Sequence, residues 1–553
     1  MSRILKIDPM GIISDTVKLA ERLGDEAYFV AVCARSGMVG SVRPDRVLRM
    51  GLAFERFGLL GAALAAAAIR DPDETAVIDE HGRLSFKQLD RRANALANAW
   101  RREGLEPGEG VAILARNHHG FVEAVFAAAR CGARIVLLNT SFAGPQIREV
   151  AAREGTDLLV YDDEYAEELE GLRPRRGRWR AWTDEPGEDT LEALIESSST
   201  DPPPKAGVPP RIIILTSGTT GTPKGAPRPE PRSLSPIGGI LSKVPFRSGE
   251  VTELCAPMFH ALGFAHAIIA IAVGDTLVLR RHFDPAATLD SLERHRASAM
   301  ILVPVMLKRI LGLGDEAILD RDLAGLRIIF VSGSQLGTEL AEHAINVFGP
   351  VVYNLYGSTE VAYATIATPE DLRVEPASVG KVVRGTVVKI LDEDNRELPV
   401  GATGRVFVAN TVQVEGYTGG GAKEQVNGLM SSGDIGHFDK HGRLFIDGRD
   451  DEMIISGGEN VFPHEVEDLL TKHEAIEEAA AIGVEDRDFG QRLRAFVVLR
   501  DGATMTEDEV KGYVKQNLAG FKTPRDVVFV DVLPRNATGK VLKRELMQHD
   551  AAT

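Results

Sequence analysis

Apolar and polar positions alternate along this chain with two periods, and their order gives the architecture. Leu89, Ala93, Leu96 and Trp100 fall on one face of a helical wheel, behind the capping box Ser85-x-x-Gln88 and ahead of a glycine C-cap at Gly104. A short apolar run, Thr75 to Ile78, precedes them with a turn at His81-Gly82. Strand Val111–Leu114, helix Phe121–Ala129 and strand Ile135–Leu138 follow. Strand, helix, strand in that order predicts a parallel α/β sheet. Residues 173–210, rich in Arg, Pro, Ser and Glu, read as a surface excursion, from which strand Ile212–Leu215 emerges. Strands and helices then alternate to about residue 348, and from about 378 to 447 the pattern is strand-rich with glycine turns.

The end of the chain reads as a separate compact α+β unit. Its elements are strand Met453–Ile455, helix Pro463–His473, strands near Ala479–Ile482, Arg494–Leu499 and Val527–Val530, and a helix from the capping box Thr506-x-x-Glu509 to Leu518. The division expected is a helical extension over 1–70, a large α/β domain over 71–448 and a small α+β domain over 449–553. There is no internal repeat.

Two features of the extension bear on membranes. The longest apolar run, Phe57 to Ile69, is shorter than the roughly 20 residues a spanning helix needs. The first residues, MSRILKIDPMG, lack the apolar core of a signal peptide. No transmembrane helix is expected. The preceding stretch is basic, with Arg35, Arg43, Arg46, Arg49 and Arg56 against Asp45 and Glu55. Such a helix either lies on a membrane surface or packs on the main domain, and the second is the expectation.

Composition narrows the function. The 553 residues are 44% hydrophobic and 26% charged, ordinary values for a globular chain, which exclude a disordered protein or a fibre. Lys and Arg number 64 against 80 Asp and Glu, a formal charge of −16, which disfavours general nucleic-acid binding. Cys33, Cys131 and Cys255 lie far apart with no C-x-x-C, which argues against a disulfide framework or a cysteine zinc site and suits the cytoplasm.

The chemistry begins at Leu215–Pro227, LTSGTTGTPKGAP, where an apolar strand runs into hydroxyls and glycines and ends in Lys224. Glycines let backbone amides approach phosphate oxygens, hydroxyls add donors, and the lysine adds charge. The spacing is not that of a Walker A loop. Thr216, Ser217, Gly218, Thr219, Thr220, Gly221 and Lys224 resemble the phosphate loop of the adenylate-forming superfamily, which holds acyl- and aryl-CoA synthetases, adenylation domains and beetle luciferases. Its other motifs follow in order. Tyr356-Gly357-Ser358-Thr359-Glu360 is similar to the box in which the threonine meets the adenylate phosphate and the glutamate helps bind Mg²⁺; Thr220 joins Glu360 as a metal-site candidate. Gly333-Ser334-Gln335, after the apolar strand Ile328–Val331, resembles the segment along adenine. Asp434 of Ser432-Gly433-Asp434 is similar to the aspartate that holds the ribose hydroxyls. Gly448-Arg449-Asp450-Asp451 and Ser456-Gly457-Gly458 resemble the domain junction, which implies a nucleotide contact for Arg449, a hinge at Asp451 and a CoA channel beside Ser456, Gly457 and Gly458. Lys540, in Pro534–Lys540, resembles the C-terminal catalytic lysine, which bridges the carboxylate and the α-phosphate.

The resemblance covers residues 70–548 and implies a large α/β domain with a small mobile C-terminal lid, ATP, Mg²⁺ and CoA as cofactor and co-substrates, and two half-reactions. His260 stands where amino-acid-activating members carry an acid, and Phe259-His260 is similar to the acyl- and aryl-CoA synthetases, in which the ring lines or gates the acyl pocket. Gly238, Gly239, Ala261, Gly263, Ala362 and Ala364 are small, so an open tunnel for a medium- or long-chain fatty acid is expected. The run Gly380–Gly448 shows no insertion of the kind that hinders CoA use, which favours CoA over a carrier protein as acceptor. An acyl-AMP ligase serving a carrier protein, an aryl–CoA ligase and a non-catalytic sensor are the alternatives. A peripheral membrane contact through the extension and a homodimer are left open.

Overall fold

The computed structural model describes residues 23–38, 43–216, 223–231, 233–450, 454–456, 459–486, 490–518, 520–536 and 539–548. Two sheets form the large domain. One runs, in spatial order, through Lys381–Val382, Thr365–Ala367, Val352–Tyr356, Ile328–Val331, Ala299–Leu302, Val251–Leu254, Thr276–Leu279, Thr75–Asp79 and Gly82–Ser85. Its six inner strands, from Val352–Tyr356 to Thr75–Asp79, are parallel. The other runs through Arg178–Trp182, Thr156–Asp162, Gly110–Leu114, Arg134–Leu137, Arg211–Thr216 and Lys224–Arg228, parallel except for the last pair.

Helices fill the layer between these sheets, because their apolar faces meet strands on both sides. Leu89, Ala93, Leu96 and Trp100 of helix Phe86–Arg102 are fully buried, in one core with Val77 of the first sheet and Val111 and Ile135 of the second. Ser85 and Gln88 close the expected capping box, a device that contributes about 1 kcal/mol. Helices His119–Arg130 and Ala261–Val273 lie in the same core.

Residues 173–210 depart from the expectation of a plain surface excursion. Arg178–Trp182 is an edge strand paired with Thr156–Asp162, and Leu191–Glu196 is a helix whose Leu191, Leu194 and Ile195 are buried. Charge hid the strand. An edge strand tolerates arginines, and here Arg180 is paired with Asp189 and Arg178 lies over Tyr161.

The described part of the extension is two helices, over 23–35 and Pro44–Arg70. By length and composition Pro44–Arg70 is apolar enough to cross a bilayer. It is broken at Gly58 (φ 71°, ψ −173°), and Leu60 through Ala67 are buried in the protein core. The break is held by Glu230, whose Oε1 accepts from the Leu60 amide at 2.8 Å. Glycine is required there, since the conformation is left-handed and a Cβ would lie 2.5 Å from Glu230 Oε2. Arg70 ends the helix by donating to Met38 O and to Ala272 O and Val273 O, the last carbonyls of helix Ala261–Val273.

Residues 387–449 add an antiparallel sheet of Val387–Leu391, Gly404–Ala409, Gln425–Val426, Leu429–Phe438 and Leu444–Arg449. The small C-terminal domain has its own sheet, with Ile476–Asp486 and Gly490–Leu499 as its long pair. Helices Pro463–Thr471 and Glu507–Asn517 cover it over a separate core of Val466, Leu470, Ala495, Val497, Val510 and Val514.

Candidate active site

In the first sheet the chain passes from Val251–Leu254 to Thr276–Leu279 on one side, then returns to Ala299–Leu302 on the other. A crevice opens at such a reversal, beyond the carboxyl ends of the strands. The expected site residues emerge from those ends: Phe259-His260 after Val251–Leu254, Gly333-Ser334-Gln335 after Ile328–Val331, and Gly357–Glu360 after Val352–Tyr356. Gly333 takes a left-handed conformation (φ 101°) and is exposed, which suits backbone meeting a flat base.

The phosphate loop proper, residues 217–222, lies outside the described residues, and with it Ser217, Gly218, Thr219, Thr220 and Gly221. Its two ends are described. Strand Arg211–Thr216 leads in and Lys224–Arg228 returns antiparallel, pairing Thr216 with Lys224. Arg153 donates to the Pro223 carbonyl, and Thr418 Oγ1 accepts from the Gly225 amide at 3.0 Å while donating to Glu154 Oε1 at 2.6 Å. Gly225 has room for no side chain: a Cβ would lie 2.5 Å from Thr418 Oγ1 and 2.7 Å from Ile213 Cγ2. Lys224 is thereby fixed at its backbone, while its side chain is exposed 5.5 Å from the Tyr417 ring centroid.

Asp434 and Arg449 face each other across strands Leu429–Phe438 and Leu444–Arg449, with Arg449 Nη1 3.4 Å from Asp434 Oδ1. The Tyr356 hydroxyl donates to Asp434 Oδ2 at 2.5 Å and lies 3.1 Å from Ser432 Oγ. Burial, then the charge of Asp434, holds the Tyr356 phenol well above its usual range, so it stays a donor. A nearly buried carboxylate oriented this way suits two ribose hydroxyls.

Glu360 has its own set of partners. Tyr417 donates to its Oε1 at 2.7 Å, and Ser358 Oγ accepts from the Glu360 and Val361 amides, which folds the turn. Arg228 donates to the Thr359 carbonyl. Burial brings the guanidinium of Arg228 down to about 10, and the charge of Glu360 opposes that fall. Gly357 makes the tight return possible, since a Cβ would lie 2.1 Å from the Ala362 carbonyl, and Ala362 itself is left-handed (φ 63°). Among the described residues no cluster of three His, Cys, Asp or Glu side chains could hold a metal. A single carboxylate still fits Mg²⁺, which keeps several waters and takes its remaining oxygens from the nucleotide phosphates.

The Lys540 loop reaches this crevice. Gly539 is left-handed, and a Cβ there would lie 2.2 Å from Val305 Cγ1, just beyond strand Ala299–Leu302. Gln335 Nε2 to Asp468 Oδ2 at 3.2 Å and Lys308 Nζ to Glu478 Oε1 at 3.2 Å hold the small domain nearby. Lys540 is exposed, with its amide bonded to Asn536 Oδ1. Asp451, Gly457 and Gly458 lie outside the described residues; Ser456 ends strand Ile454–Ser456.

Three of the small residues expected to open a tunnel, Gly238, Gly239 and Gly263, are closely packed. A Cβ on Gly238 would lie 2.7 Å from Phe29 Cβ, one on Gly239 2.8 Å from Val383 Cγ1, and one on Gly263 2.3 Å from the Pro257 carbonyl. The room is filled by neighbouring elements, so these glycines serve close packing. Ala364 is fully buried in the core under the antiparallel sheet, whereas Ala261 and Ala362 are half-exposed. His260 precedes helix Ala261–Val273. Its Nε2 has no partner among the described residues, and burial pulls the imidazole down to about 4, so the ring is neutral near pH 7.

Tyr417, Thr418, Glu154 and Arg228 were not found from the sequence. Two of them, Tyr417 and Thr418, lie in the short, glycine-rich segment from Gly416 to Gly428, which carries no spacing of its own to mark them.

Comparison with known proteins agrees with this geometry. The family model described as AMP-binding enzyme matches residues 64–418, and that of the AMP-binding enzyme C-terminal domain matches residues 465–540. The chain is 30% identical to the fatty acid–[acyl-carrier-protein] ligase ScoC of Streptomyces coeruleorubidus, over 87% of this chain and 94% of that one. It is 32% identical to the indoleacetate–CoA ligase of Aromatoleum aromaticum, over 86% and 95%. Its fold matches ATP-bound MatB of Rhodopseudomonas palustris with a TM-score of 0.79 at 26% identity, covering 89% of this chain and 100% of that one. The o-succinylbenzoate CoA synthetase of Bacillus subtilis, with its acyl-adenylate intermediate, matches with a TM-score of 0.75 at 26% identity, over 88% and 97%. The chain therefore belongs to the AMP-binding enzymes of the adenylate-forming superfamily.

Proposed function

We propose that this protein activates a fatty acid of medium or long chain with ATP and passes the acyl group to CoA. In the first half-reaction a carboxylate oxygen attacks the α-phosphorus, the α–β phosphoanhydride bond breaks, and acyl-AMP and pyrophosphate result. In the second, the CoA thiol loses its proton and attacks the acyl carbonyl, and AMP leaves. Asp434 and Arg449 orient the ribose side, Lys224 and Lys540 face the developing negative charge, and Glu360 holds Mg²⁺ when it is bound, neutralising phosphate charge. Rotation of the small domain, taken as residues 449–553 with its hinge at Asp451, would exchange Lys540 for the Ser456–Gly458 loop in one crevice.

One observation carries the reading: Tyr356, at the carboxyl end of strand Val352–Tyr356, holds Asp434 of the antiparallel sheet, Glu360 follows the same strand end, and the Lys540 loop packs on Val305 just beyond strand Ala299–Leu302. The fatty-acid substrate is supported by the likeness to ScoC and by a neutral His260 in place of a charged selector. The likeness to ScoC also supports a second reading, a carrier protein as acceptor. Purified protein with ATP, Mg²⁺ and CoA, offered acids from acetate to long chains together with aryl acids, decides by mass spectrometry. Acyl-CoA supports the proposal, acyl-AMP without acyl-CoA supports the carrier, and absence of pyrophosphate release rejects both. We place the reaction in the cytoplasm, with the exposed Val47, Leu48 and Leu52 of helix Pro44–Arg70 free to meet a membrane surface.

A further inference from the structure

We infer that Glu478 clasps the Lys540 loop to the large domain, with Arg535 and Lys308 as its two partners, and so acts as a positioning residue for Lys540 in adenylation. This rests on the reading under which Lys540 serves that half-reaction. Arg535 Nη2 lies 3.0 Å from Glu478 Oε1, and Lys308 Nζ of helix Pro304–Leu311 lies 3.2 Å from the same oxygen. One carboxylate oxygen takes a cation from each side of the domain boundary. Burial alone would raise the Glu478 carboxyl. The charges of Arg535 and Lys308 outweigh it and hold the group below its ordinary value, so it stays ionised between them.

A bulge aims Glu478. Where Ile476–Asp486 pairs with Gly490–Leu499, the register slips between Ile476 and Glu478. Ile476 therefore enters the core that holds Ala481, while Glu478 shares a face with Ala480 and Ile482. That second face packs Leu533 and Val541, which flank the lysine loop. Within the loop, Arg535 Nη1 donates to the Gly539 carbonyl at 2.6 Å, and the Lys540 amide donates to Asn536 Oδ1 at 2.9 Å. The guanidinium fork joins Glu478 to the residue before Lys540, a double contact suited to arginine rather than lysine. On the large domain, Val305 and Lys308 stand three residues apart on one helix, and Val305 is the side chain against which Gly539 packs. That helix meets the loop directly at Val305 and again through Glu478. Rotation of the small domain would break Lys308–Glu478 and could keep Arg535–Glu478, which lies within that domain. The clasp therefore favours the adenylation arrangement over the one for CoA transfer.

The test compares wild type, Glu478→Gln, Lys308→Met and the double variant, each as the full chain. Two rates are read: single-turnover pyrophosphate release at saturating ATP, and CoA transfer from synthetic acyl-AMP. In each single variant the first rate should fall about fivefold, the scale of a partly exposed ion pair, with the ATP requirement unchanged and CoA transfer not slowed. The double variant should be no slower than Glu478→Gln, because both substitutions remove one contact. A merely structural role would lower both rates together. Unchanged rates, equal loss in both, or additive losses in the double variant overturn the inference and leave the function reading intact. Amide hydrogen exchange separates the two ideas. In the variants, residues 539–542 and helix Pro304–Leu311 should exchange faster together. If wild type releases pyrophosphate with no acid, the function reading falls and with it the role in adenylation; unchanged exchange in the variants then overturns the clasp itself.

Discussion

The Tyr417 hydroxyl donates to Glu360 Oε1 at 2.7 Å while the same ring lies 5.5 Å from the Lys224 ammonium. One side chain thus couples the strand that follows the phosphate loop to the acid assigned to the metal. Tyr417→Phe keeps the ring and removes the hydrogen bond. A bond to a charged group contributes about 1.5–3 kcal/mol, so KM for Mg-ATP in the adenylation half-reaction should rise roughly tenfold or more. The check is a titration of ATP at several Mg²⁺ concentrations; an unchanged KM would mean Glu360 is oriented without Tyr417.

Asp434 is held by Tyr356 and faces Arg449, an arrangement that suits ribose hydroxyls. Asp434→Asn should weaken ATP by about tenfold and erase most of the preference for ATP over 2′-deoxy-ATP. If the variant still discriminates between the two nucleotides as wild type does, the ribose is read elsewhere.

The loop carrying Lys540 is docked on Val305 at the crevice. Lys540→Ala should lower acyl-AMP formation by about a hundredfold or more, the scale of losing one preorganised transition-state contact, and leave CoA transfer from synthetic acyl-AMP largely intact. Equal loss in both half-reactions would count against the assignment.

Stability should carry a pH signature from two buried acids that take no assigned part in this chemistry. Burial raises both Glu253, bonded to Ser291 Oγ at 2.6 Å, and Asp275, bonded to Thr252 Oγ1 at 3.2 Å, to about 7. Both sit near 4 in the unfolded chain. Between pH 4 and 7 the folded state therefore binds more protons than the unfolded one, and stability falls as pH rises through that window. Glu253→Gln should flatten this fall by on the order of 2 kcal/mol, read as a smaller Tm difference between pH 5 and pH 8. Parallel pH profiles for variant and wild type would show that Glu253 does not titrate there.

The residues assigned to the nucleotide stood out in the sequence because their motifs are local: Tyr356 to Glu360 and Ser432 to Asp434 each lie within a few residues of one strand or its end. The elements around them followed from periodicity, as at Leu89–Trp100. What escaped depends on residues far apart in the chain. Thr418 meets Gly225 and Glu154, and Arg228 reaches Thr359, through packing that no spacing encodes. Gly238 and Gly239 illustrate the same limit. Their size was visible, but whether small means open or filled depends on Phe29 and Val383, which approach from other parts of the fold. The strand Arg178–Trp182 was masked by its arginines, since an edge position relaxes the apolar pattern.

Glu230 accepts from the Leu60 amide only two residues beyond the strand Lys224–Arg228. A hydrogen bond therefore ties the break in the extension to the segment just after the strand that carries the phosphate-loop lysine. Local opening of either exposes the other, so amide exchange at Leu60 and along 224–228 should proceed with a common protection factor, and agents that loosen the extension should slow adenylation before the molecule as a whole melts.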